Sequence, residues 1–201
     1  MESPRISEPS AKAERARLFF ALDPDDATRE ALTGWREEAL GDRPELRLPP
    51  PQTLHVTLAF LGSRPGAEIP EVARTGLSSV AGLGAPVLGA RGVVAVPRRR
   101  PRLVALDLDD TRGRARELAA AVSSTLAAER LHEPEDRPFW AHLTLARMRG
   151  RPARAGNAGV QLARRPPGSL TFDHVTLYRS LSSPSGARYE PIERRRLVTA
   201  G

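Results

Sequence analysis

Apolar residues in this chain gather in short runs that alternate with longer, two-faced stretches. The run LFFAL at 18–22 is closed by the acidic turn DPDD at 23–26 and predicts a strand. The next stretch, ATREALTGWREEAL at 27–40, spaces its apolar residues at helical intervals. Asp25 and Asp26 stand where helix caps and first-turn acids belong. The same order then returns, with RLVALDLDD at 102–110 predicting a strand and RGRARELAAAVSSTLAAERL at 112–131 a helix, and Asp109 and Asp110 at the junction. Between the copies, 69–83 reads as a helix and 85–97 as a strand whose glycines suggest a bend or bulge. After them, 150–168 is loop-like, and SLTFDHVTLYRSLSS and ARYEPIERRRLV predict two strands joined at SPSG, 183–186. Interleaved strands and helices with at least one hairpin predict an α+β fold with antiparallel or mixed sheets, built from two strand–helix–strand units.

Three of the four histidines sit in one frame. HVTL starts at His55, HLTL at His142 and HVTL again at His174, while His132 lies outside the pattern. Residues two apart on a strand share a face. His55, Thr57 and Ala59 are therefore expected on one side, as are His142, Thr144 and Ala146, with leucines and valine behind. Phe60 is expected in the core. If the two units pack about a pseudo-two-fold axis, two imidazoles and two hydroxyls meet in one groove. Such a pair suits in-line displacement at phosphorus: one histidine accepts a proton from water and the other gives one to the leaving oxygen. The threonine hydroxyls can donate to phosphate oxygens, and no metal is demanded. No strand–helix unit leads into His174 at the matching distance, so it reads as a structural strand residue. His132 reads as a solvated histidine at a helix end.

Charge and composition narrow the picture. The net charge is +7, and Lys12 is the only lysine among 31 basic residues. Arginines cluster at 98–102, at 147–154 and at 194–196, which favours a polyanionic partner as much as a solvated surface. There is no cysteine, which excludes disulfides and thiolate–metal sites. A zinc site of three histidines is the rival reading, but no compact ligand spacing supports it. No apolar stretch reaches the roughly 18–20 residues needed to span a bilayer, so a cytoplasmic protein is expected. Residues 1–15, rich in Pro, Ser and charge, read as a disordered extension rather than a signal peptide. Residues 16–201 read as one bilobal domain, with the first motif in 16–96 and the second in 97–150.

The paired motifs, together with RLFFALDP, HVTLAFLG and RPFWAHLTLAR, resemble the 2H phosphoesterase superfamily. Within it the chain is most similar to the RNA 2',3'-cyclic phosphodiesterases, also called 2'-5' RNA ligases, over roughly 16–197. The resemblance implies a bilobal fold with two sheets around a central groove. It implies opening of 2',3'-cyclic phosphate ends of RNA to 2'-phosphates without metal or other cofactor, together with reversible 2'-5' ligation, and a monomer is expected. It also implies His55 as proton donor, His142 as proton acceptor, and Thr57, Thr144 and Arg147 as substrate contacts. Strict alternation puts Arg147 on the back face with Leu143 and Leu145, so that role requires the strand to bulge or end there. The third HVT lies outside the family pattern. The alternatives are a non-catalytic basic RNA-binding module and a 2H enzyme acting on a small non-RNA cyclic phosphate.

Overall fold

The computed structural model describes residues 15–150, 165–183 and 186–199. The expected N-terminal extension, most of the 150–168 loop and the tip of the SPSG turn lie outside the described residues. Eight strands and three helices follow in order: β1 (Arg15–Pro24), α1 (Asp26–Leu40), β2 (Leu46–Arg47), β3 (Val56–Pro65), α2 (Ile69–Ser78), β4 (Val87–Val96), β5 (Leu103–Asp109), α3 (Arg114–Ala128), β6 (His142–Met148), β7 (Ser169–Ser183) and β8 (Gly186–Arg196).

The acidic turns work as helix starts, each in its own way. Asp25 caps α1, its Oδ1 accepting from the Thr28 N–H at 2.7 Å. Asp110 reaches α3 from three residues before the cap, accepting from Ala115 N at 3.2 Å and Arg116 N at 2.8 Å. The cap itself is Gly113, in the left-handed region at φ 68°. The apolar stripes of the helices, with Leu32 and Leu40 on α1, Val72 and Leu77 on α2, and Leu118, Val122 and Leu126 on α3, enter one core. α2 packs so closely that Gly76 lies against the Phe20 ring of β1, and any Cβ there would overlap it.

The expectation of two sheets is corrected. All strands join one sheet in the order β1-β3-β6-β5-β4-β7-β8, with β2 beside β6, and every named strand pair is antiparallel. β1 also pairs with β7, so the path closes on itself. The closure follows from the length of β7: its first residues pair with β4 at Val87–Gly89, and the rest run along β1. One face of this curved sheet carries the core and the other lines the groove. No helix among the described residues is long and apolar enough to cross a membrane.

Candidate active site

β3 and β6 share one register position, Val56 opposite Leu143, and both of these side chains are in the core. The residues that flank this pair, His55 and Thr57 on one side and His142 and Thr144 on the other, therefore project together to the opposite face.

Each of the two strands then breaks its alternation at the same place. On β3, Thr57 opposes Ala21 but Ala59 opposes Phe20, which leaves Leu58 as an extra residue. On β6, Thr144 opposes Ala105 but Ala146 opposes Val104, which leaves Leu145 extra. The expectation for the alanines and Phe60 is thereby corrected. Ala59 and Ala146 turn into the core, and the residues after them turn into the groove. Phe60 pairs with Phe19, the two ring centroids 5.7 Å apart, and is 56% exposed. Arg147 pairs with Leu103, which shares a strand face with Ala105 and Asp107, the partners of Thr144 and His142. The bulge that the Arg147 assignment requires is present.

The two histidines have different surroundings. His142 stacks on Trp140 with ring centroids 4.0 Å apart, and its Nδ1 lies 2.9 Å from the Trp140 carbonyl oxygen. A carbonyl only accepts, so Nδ1 carries the proton and neutral His142 presents an Nε2 lone pair. Trp140 is itself held by its Nε1–H, which donates to Asp107 Oδ1 at 2.7 Å. His55 is packed by Phe19 (5.1 Å), Tyr178 (5.8 Å, nearly parallel) and Tyr189 (5.3 Å, edge-on). Its Nδ1 is buried with no hydrogen-bond partner among the described residues, so the proton of the neutral ring belongs on Nε2. Burial, reinforced by the positive charges of Arg29 and Arg147 and by His142 whenever that ring is protonated, pushes its pKa down to about 3.

Several residues that support the site are not announced by the sequence. Arg29 on α1 donates to the carbonyls of Pro51, Leu54 and Pro24 at 3.1–3.2 Å and so fixes the backbone leading into His55. Asp23, at the end of β1, accepts from Thr176 Oγ1 at 2.6 Å and from the Tyr178 hydroxyl at 3.0 Å, all three side chains being buried. Burial raises the Asp23 carboxyl pKa while these hydrogen bonds oppose the rise. The period-two spacing of His174, Thr176 and Tyr178 is the sequence signal for this bed under His55. Nothing marks Arg29 among other helix-surface arginines.

His174 itself is paired with Asp173, Nδ1 to Oδ1 at 2.8 Å. Among the described residues no group of three or more His, Asp or Glu side chains is gathered in a way that could hold a metal ion. His132 is buried, not solvated as expected, because the neighbouring Leu131 is drawn into the core; burial lowers its pKa. A cavity of about 510 Å³ opens from Thr57 and His142 past Phe60 and Trp140 toward Arg116 and Arg137.

Known proteins similar to this chain are found. The RNA 2',3'-cyclic phosphodiesterase of Thermus thermophilus is 31% identical over 183 residues, covering 89% of this chain and 88% of that protein. The Escherichia coli protein of the same name is 31% identical over 187 residues, covering 90% and 97%. Among solved structures, TT0787 of Thermus thermophilus superposes with a TM-score of 0.69 at 29% identity, over 90% of this chain and 97% of that one. Escherichia coli LigT in its apo form gives 0.66 at 26%, over 92% and 98%. The 2'-5' RNA ligase superfamily matches residues 24–184, from the end of β1 to just past β7, and the chain belongs to that family.

Proposed function

We propose that this protein opens 2',3'-cyclic phosphate ends of RNA to 2'-phosphomonoesters, with His55 and His142 as acid and base and no metal. The single observation that carries the reading is the pair of histidines facing one groove from adjacent strands, one held by a backbone carbonyl and the other by a cage of aromatic rings. Water attacks phosphorus, His142 Nε2 takes its proton, the bond from phosphorus to the 3'-oxygen breaks, and His55 protonates that oxygen. Thr57, Thr144 and Arg147 hold the non-bridging oxygens. Phe60 and Trp140 offer flat faces to the terminal base.

An acid must carry its proton, and His55 without substrate does not. The substrate supplies what is missing. A unit negative charge about 4 Å away, at an effective dielectric near 20, is worth about 4 kcal/mol, or about a thousandfold in proton affinity. An arriving phosphate therefore raises the pKa of His55, against the effect of burial and the neighbouring cations. Ligation through a 2'-5' linkage is the same ring opening with an RNA 5'-hydroxyl in the place of water.

The test is turnover, with EDTA present, of a short RNA ending in a 2',3'-cyclic phosphate. His55→Ala and His142→Ala are each expected to lower kcat by at least about 10²-fold, while His174→Ala stays near wild type. Loss of wild-type activity on adding EDTA would revive the three-histidine metal reading. RNA binding without turnover would leave the binding-module reading standing.

A further inference from the structure

The hairpin that carries the third His-x-Thr sequence sorts its charges by face. Directly opposed residues on neighbouring strands project to the same side. Thr176 and Tyr178 face the groove, as their contacts with Asp23 and His55 require. On β8, Arg194 opposes Thr176, Arg196 opposes His174, and Tyr189 opposes Ser180, so these three share the groove face. The edge-on contact of Tyr189 with His55 agrees with this. A bulge between Leu177 and Tyr178 keeps the frame on both sides of Ile192.

The other face of β8 carries Arg188, Glu190, Glu193 and Arg195, opposite Leu181, Arg179, Leu177 and Val175. Charges there balance, and Arg188 and Glu190 approach to 3.8 Å. The groove face of β8 has Arg194 and Arg196 and no acid to balance them. Both are exposed, and neither is in an ion pair among the described residues. The acids beneath are already engaged: Asp23 is buried under two hydroxyls, and Asp173 holds His174. Arg194 and Arg196 stand roughly 7 and 13 Å along the strand from Tyr178, beside the reacting centre rather than on it. A positive strip on the outer strand, level with the histidines, complements a polyanion that leads into the groove.

We propose that Arg194 and Arg196 bind the phosphates of the RNA strand on the 5' side of its cyclic end, so that the protein prefers an oligonucleotide to a single cyclic nucleotide. This rests on the reading of the groove as a cyclic-phosphate site. Arg195 is the internal control, because it carries the same charge on the opposite face. The readout is the ratio of kcat/KM for a short RNA with a 2',3'-cyclic end to that for 2',3'-cyclic AMP. Arg194→Ala combined with Arg196→Ala lowers this ratio about 10-fold and flattens the dependence of log KM on log salt by about 1 to 2. Arg195→Ala leaves the ratio within about twofold. An unchanged ratio in the double variant, or an equal fall in Arg195→Ala, overturns the proposal. Anisotropy with a labelled RNA ending in a 2'-phosphate measures binding without turnover. There the double variant weakens Kd about 10-fold, and wild-type affinity overturns the strip. If wild type turns over neither substrate but the binding difference persists, the catalytic reading fails and the strip stands.

Discussion

His55 and His142 occupy the same place in the same four-residue pattern, yet their ring nitrogens are not equivalent. Trp140 fixes one imidazole through a carbonyl, and a cage of Phe19, Tyr178 and Tyr189 fixes the other through packing alone. The difference is measurable. In a histidine-resolved NMR titration of the free protein, His55 is expected to stay neutral across pH 5–8. With a 2'-nucleotide in the groove its titration should move upward in pH, because the bound anion offsets the burial and the neighbouring cations. A His55 that titrates near 6.5 without ligand would remove the need for substrate-driven protonation and weaken the assignment of roles.

At the scale of elements, the bulges do the positioning. Without Leu58 and Leu145 as extra residues, alanines would line the groove, and Phe60 and Arg147 would point into the core. The opposite constraint appears at Gly76, where α2 lies on Phe20 with no room for a methyl group. Gly76→Ala is expected to lower stability by about 1–3 kcal/mol, read as a reduced denaturation midpoint at unchanged m-value. An unchanged midpoint would mean that α2 shifts freely on β1. The sequence made the strands, the helices, the acidic helix starts and the paired histidines legible, because those features are local and periodic. It could not reveal the bulges, since Leu58 and Leu145 look like ordinary back-face residues until β1 and β5 set the register. For the same reason Phe60 read as core, and Arg147 could be placed only by resemblance. Arg29 and Asp23 were hidden because their partners lie on other elements, and the single closed sheet depends on β7 reaching both β4 and β1.

For the whole molecule, the neutral His55 links the site to stability. Its folded pKa, about 3, lies below its unfolded value near 6.5, so between these values the unfolded chain binds a proton that the folded chain refuses. Stability therefore falls as pH is lowered from about 6.5 toward 3. His55→Gln removes this dependence, and its melting temperature is expected to drop less than that of wild type between pH 7 and pH 4.5. Parallel drops would assign acid sensitivity to the carboxylates instead. The closed sheet bears on how the protein is made. Arg17 pairs with Ser180 and Asp23 with His174, so β1 lacks its second neighbour until nearly the whole chain has been synthesised. At roughly 5–20 residues per second, that leaves an early apolar strand half-paired for on the order of ten seconds on the ribosome. The long sequence separation also predicts slow closure afterwards. A nascent chain that stalls before β7 carries both histidine motifs but neither the bed under His55 nor a finished sheet, so it presents an open strand edge to its neighbours instead of a groove to RNA.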